Sequence, residues 1–100
     1  MNNLLAIIPH GKANRIIARV IATRLGYPTS NNQVETRQLI EYAILQGYFI
    51  VSDNHGYWQT TDETEIRIYI QSLEGRANET QNRANTMKTT WNSQNPNNQI

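Results

Sequence analysis

Few side chains in this 100-residue chain have the types and spacing for covalent or proton-transfer chemistry. His10 and His55 lie far apart in sequence, each in a turn-like context, a poor set for metal binding or acid–base work. Asp62, Glu63 and Glu65 are clustered carboxylates, but they open an apolar-periodic segment, where acids complement a helix dipole without doing chemistry. Gly11-Lys12 has no glycine five residues before it and so does not match a phosphate-cradling loop. With no cysteine there is no thiolate nucleophile, thiolate zinc site or disulfide, which suits a reducing compartment. An enzyme, a metal or a cofactor is therefore not expected.

What remains is hydrogen bonding and charge. The formal net charge is only +1, yet its distribution is uneven. Residues 1–47 carry Lys12, Arg15, Arg19, Arg24 and Arg37 against Glu35 and Glu41, whereas 48–70 carry Asp53, Asp62, Glu63 and Glu65 against Arg67. The basic half is the one suited to face phosphates.

These groups need elements to position them. Hydrophobic residues at 38% support one small domain with a single modest core. Leu4 to Ile8 reads as one or two helical turns stopped by Pro9, and Arg15 to Ala18 as a short strand. Ala18, Ile21, Ala22 and Leu25 recur at helical spacing, with Gly26 and Pro28 ending the helix near Leu25. Asn32 and Glu35 have the spacing of a capping box, ahead of a buried stripe of Thr36, Leu39, Ile40 and Ala43 that Gly47 terminates. Tyr48–Ser52 and Tyr57–Thr60 flank the turn residues Asp53-Asn54-His55-Gly56, a β-hairpin that must lean on the helices before it.

Asp62 and Glu65 repeat the capping pattern for a last helix. Along it Ile66, Ile70, Leu73, Ala77, Thr80, Ala84, Met87 and Trp91 alternate at spacings of four and three, a heptad seam whose second half is weak. The expected organisation is residues 1–61 as the main domain, 62–91 as a C-terminal helix that could pair with a copy of itself, and 92–100 as a disordered polar tail. No apolar run approaches the roughly 18 residues that span a bilayer. The opening "NNLLAII" lacks a basic flank and a small-residue cleavage site, so it is expected to belong to the domain and the protein to be cytoplasmic, with no membrane partner.

Helix, short strand, helix, turn, helix and hairpin is the order of a winged helix-turn-helix domain. The sequence resembles the small winged-helix proteins of bacteriophages and prophages through Ile8-Pro9, Gly11 and Asn14 ahead of the helix-turn-helix. It resembles them again through Gly56-Tyr57 in the wing and Thr61-Asp62, Glu65, Tyr69, Ser72-Leu73 and Arg76-Ala77 in the following helix. The fold class implied is α+β, mainly helical, with a two-stranded wing. One departure is the turn "GYPTSNN", a few residues longer than the usual connection of three or four.

The resemblance implies a protein that binds double-stranded DNA, in the host cytoplasm if phage-encoded, in transcriptional control or at a replication or packaging site. The helix starting near Asn32 would enter the major groove, with Gln33, Arg37 and Gln38 facing base edges or phosphates. Ser30 and Asn31 would meet the backbone at its N-terminus, Lys12 and Arg19 would supply general attraction, and Asn54 and His55 would touch DNA from the wing tip. Ile66, Ile70, Leu73 and Ala77 would form a homodimer seam. The other reading is a winged helix that grips a host protein, which the near-neutral charge, the acids after the hairpin and Glu35 and Glu41 favour.

Overall fold

The computed structural model describes residues 2–74 and 78–100, without the side chains at 2, 74 and 78–82. Its order is α1 (Asn2–Ile7), α2 (Ala18–Leu25), α3 (Val34–Leu45), β1 (Ile50–Asp53), β2 (Gly56–Gln59), α4 (Glu63–Glu74) and α5 (Asn78–Gln94). The architecture is α+β, mainly helical, with one two-stranded antiparallel hairpin, and is compatible with a winged helix.

The local signals act as expected in α1, α2 and the hairpin. Gly26 takes φ 76°, ψ 24° at the end of α2, a left-handed conformation that costs glycine nothing. In the hairpin Asp53 pairs with Gly56, so Asn54 and His55 form a two-residue loop, and the register continues through Ser52–Tyr57 and Val51–Trp58. Side chains alternate across a strand. Val51 and Trp58 are buried on one face, while Ser52 and Tyr57 lie half-buried on the other.

The segment before α2 adds to this sheet at two isolated bridges, His10 parallel to Gln59 and Ile16 antiparallel to Tyr57. Ile16 forms an antiparallel bridge to Tyr57, with Tyr57 N donating to Ile16 O at 2.7 Å and Ile16 N donating to Tyr57 O at 3.1 Å. Gln59 ties α1 to the same edge, its Nε2 donating to the carbonyls of Leu5 at 2.9 Å and Ile8 at 2.8 Å. Those carbonyls belong to the C-terminal end of a helix, where intrahelical donors run out.

The expected single C-terminal helix is instead two helices that pack on one another. Ile66, Ile70 and Leu73 of α4 join Ala84, Met87 and Trp91 of α5 in one core with Leu4, Ile21, Ile40, Ile44 and Trp58. Arg67, near the start of α4, donates to the carbonyl of Gln99 at 3.1 Å, so the chain after α5 has returned to where α4 began. The homodimer seam is corrected accordingly. Ile66, Ile70 and Leu73 are at most 3% exposed because the weak second half of the heptad pattern covers the strong first half within the same chain. Ala77 lies outside the described residues, as does the side chain of Thr80.

The tail is ordered rather than loose. Trp91 Nε1 donates to Asn98 O at 2.8 Å, and Asn92 and Ile100 exchange a reciprocal pair, Ile100 N to Asn92 Oδ1 at 2.8 Å and Asn92 Nδ2 to Ile100 O at 3.3 Å. A polar tract can be held when helix side chains satisfy its backbone, and the Ile100 side chain adds packing against the core.

Candidate nucleic-acid interface

The segment leading into α3 does not form the expected capping box. Asn31, Asn32 and Gln33 all take positive φ, 53°, 58° and 56°, making a left-handed turn, and α3 begins only at Val34 with no side-chain cap bond. A capping side chain reaches the N2 or N3 amide from an extended residue at the cap. With Asn32 at φ 58° and Gln33 left-handed at the cap position, that geometry is lost. Asparagine tolerates this region better than other residues with a Cβ, which suits the sequence Asn-Asn here.

Three hydrogen bonds hold the turn. Gln33 Nε2 donates to Thr29 O at 2.7 Å, Gln33 N donates to Ser30 O at 3.1 Å, and Arg37 Nε donates to Asn32 O at 2.7 Å. Arg37 also donates through Nη1 to the hydroxyl of Tyr57 at 3.2 Å. The arginine expected to read bases is thus first a brace between the left-handed turn, α3 and β2. Its exposed guanidinium still has Nη2 with no acceptor given by these bonds.

Arg37 also lines a cleft of about 340 Å³ on the Ser52/Tyr57 face of the hairpin, together with Glu41, Ser52, Asn54 and Arg83. The cleft therefore unites the first half of α3 with the hairpin tip and with α5. Arg83 was not among the residues expected from sequence. It lies beside Ala84 in the weak half of the heptad pattern, and only the fold-back of α5 brings it to α3. Its Nε is shut off from solvent without a hydrogen-bond acceptor.

Lys12 is elsewhere. It follows Gly11 in a 3-10 turn, Lys12–Asn14, and its ammonium sits 5.9 Å from the centre of the Trp58 ring, in a separate cleft of about 310 Å³ between the hairpin and α4. Lys12 and Arg37 thus serve two clefts. Arg15 is spent within the hairpin, with its Nε 3.1 Å from Asp53 Oδ1 and its Nη1 donating to Lys12 O at 2.8 Å. Arg19, Ser30, Asn31, Gln38, Asn54 and His55 are all exposed, and Gln33 is half-buried through its bond to Thr29.

Asp53 organises the hairpin tip. Its Oδ1 accepts from the His55 amide at 2.8 Å, which closes the two-residue loop. What burial it has would raise its carboxyl, but the His55 amide and the cations Arg15, His55 and Lys12 outweigh that, and the pKa falls below the ordinary 3.8. Trp58 and the following helix are locked by Glu65, whose Oε1 accepts from Trp58 Nε1 at 2.8 Å and from Thr60 Oγ1 at 2.6 Å. Asp62 caps α4 as expected, accepting the Glu65 amide at 2.9 Å, but Glu65 turns to the hairpin instead of back to the cap.

The outward face of α3 is less polar than its arginine and glutamines suggest. Val34, Tyr42 and Leu45 are 42%, 53% and 38% exposed, and a mostly apolar groove of about 370 Å³ is lined by Tyr27, Pro28, Glu35, Gln38 and Leu39. Among the described residues no group of three or more histidine, aspartate or glutamate side chains is placed to hold a metal ion, and no helix is long and apolar enough to cross a membrane. Comparison with family models, curated proteins and solved structures finds no match.

Proposed function

We propose that this chain is a winged-helix protein that binds double-stranded DNA, with α3 as the recognition helix and β1–β2 as the wing, in transcriptional control or at a replication or packaging site. The observation that carries this reading is the cleft in which Arg37 of α3 and Asn54 of the hairpin tip meet. Recognition in this class needs a helix end and a wing on one side of the domain, so that one enters a groove while the other touches the flanking backbone. The isolated bridge from Ile16 to Tyr57 supports it further, since it ties the hairpin to the residues that lead directly into α2.

The test is duplex binding followed by fluorescence anisotropy over a range of salt concentrations. An affinity that falls steadily with salt is expected, and no affinity at low salt refutes the proposal. Arg37→Ala is expected to weaken binding, and Tyr57→Phe separates its two roles. The phenylalanine removes the hydroxyl that Arg37 braces against and leaves the guanidinium in place. If both variants bind alike, Arg37 acts only as a brace.

A second reading has its own observation. Val34, Tyr42 and Leu45 on the outward face of α3, together with a mostly apolar groove, suit a protein partner better than a phosphate backbone. In that case the domain is an interaction module directed at a host protein. Tyr42→Glu then abolishes partner binding and leaves the fold intact.

A further inference from the structure

We propose that the cleft between α3, the hairpin and α5 seats a phosphate group, with Arg37 and Arg83 as its cationic walls. This rests on the DNA-binding reading for the source of the phosphate, a backbone phosphate of the duplex. The chemistry of the seat stands on the side chains themselves.

Arg83 is the central observation. Its Nε is buried without an acceptor, although a guanidinium taken out of water needs its donors satisfied. Among the described residues the ion pairs are Arg15–Asp53 and Arg67–Glu63, so neither Arg83 nor Arg37 is paired with a described carboxylate. Two carboxylates do line the cleft, Glu41 and Asp53. Asp53 is already matched by Arg15, which leaves Glu41 facing two guanidinium groups. Asn54 and Ser52 add neutral donors at the rim.

The planar fork of arginine matches a phosphate with two parallel hydrogen bonds, whereas an ammonium acts as a point charge. Among the described residues Arg83 Nε has no hydrogen-bond acceptor, and Arg37 keeps Nη2 after bracing Asn32 and Tyr57. The cleft volume of about 340 Å³ is on the order of ten times the ~30 Å³ that one water occupies in the liquid, so it has room for a tetrahedral oxyanion. A phosphate seated there would tie α5 to α3 and the hairpin, which Arg37 and Tyr57 already join.

The full chain is titrated with duplex DNA across a series of salt concentrations, as wild type, Arg83→Gln and Arg83→Lys. Loss of one phosphate contact reduces the slope of log affinity against log salt by about 0.9, so a fourfold rise in salt costs the wild type roughly 3.5-fold more than it costs Arg83→Gln. Arg83→Lys keeps the slope but binds more weakly, having lost the fork. An Arg83→Gln variant with wild-type slope and affinity overturns the assignment while the DNA-binding reading stands.

A second arm needs no variant. The arginine Nε–H signals of the wild type are followed by NMR during titration with inorganic phosphate, against chloride at matched ionic strength. A saturable shift at Arg83 under phosphate supports the seat, and a shift only under duplex identifies the DNA backbone as its source. No shift at Arg83 with either ligand overturns the proposal. A wild type that shifts with phosphate but has no affinity for duplex retains the seat and refutes the DNA reading.

Discussion

Replacing Gly56 by alanine should unfasten the hairpin from the segment before α2. A Cβ built at Gly56 would lie 2.5 Å from Ile16 O, 2.6 Å from its carbonyl carbon and 3.0 Å from its nitrogen, all backbone atoms that cannot swing aside. The residue also has φ +142°, a conformation that side chains rarely adopt and that costs about 1–3 kcal/mol. Relief requires Ile16 to move, which breaks the two hydrogen bonds it exchanges with Tyr57, at about 0.5–1.5 kcal/mol each. Together the loss is about 2–6 kcal/mol, a large share of the roughly 5–15 kcal/mol that holds a domain folded. Thermal unfolding by circular dichroism should show a midpoint at least about 8 °C lower, since each kcal/mol shifts a chain of this size by roughly 4–8 °C. Gly26→Ala is the control. Its Cβ meets nothing within 4 Å, and only the left-handed backbone opposes it, at about 1–2 kcal/mol. If Gly56→Ala is no worse than Gly26→Ala, the steric argument is wrong. Because the tip residues Asn54 and His55 directly precede Gly56, the folded fraction of the variant should also bind duplex more weakly.

Three further outcomes are expected. Glu65→Ala strands the donors of Trp58 and Thr60 in a partly buried setting, a loss of about 2–4 kcal/mol that urea unfolding monitored by tryptophan fluorescence would show, with Glu65→Gln losing less. Asp53 has a folded pKa below 3.8, so its stabilisation is present above that value and is lost as pH falls through the folded pKa. The stability difference between wild type and Asp53→Asn should therefore be present at neutral pH and shrink to nothing as the solution is acidified below 3.8; a difference that grows on acidification contradicts the assignment. Removing residues 95–100 should lower the unfolding midpoint by several degrees, because Trp91 Nε1 and Asn92 lose their partners and Ile100 its packing, at about 1–2 kcal/mol. A midpoint equal to that of the full chain would restore the disordered tail.

The features legible in the sequence are those whose physics closes within a few residues. Ala18, Ile21 and Ala22 announced the buried face of α2, Gly26 its left-handed end, Asp53 to Gly56 the hairpin loop, and Asp62 the cap of α4. Each depends on a backbone period, a φ preference or a side chain reaching an amide three residues away. The capping box at Asn32 and Glu35 failed for a reason of the same size. Its spacing was right, but Arg37 and Gln33 instead hold the chain in a left-handed turn through bonds to Asn32 O and Thr29 O.

Tertiary structure alone decided which surfaces meet. A heptad stripe states that Ile66, Ile70 and Leu73 want cover, and it cannot state whether a second chain or the same chain provides it; here α5 does. That one fold-back also carries Arg83 to Arg37, and the hairpin's two faces send Lys12 and Arg37 into different clefts. The composition of the chain makes charge and hydrogen bonding its most abundant chemistry. Where that chemistry converges depends on docking between elements distant in sequence, because apolar burial is non-directional and leaves no local mark of the partner it selects.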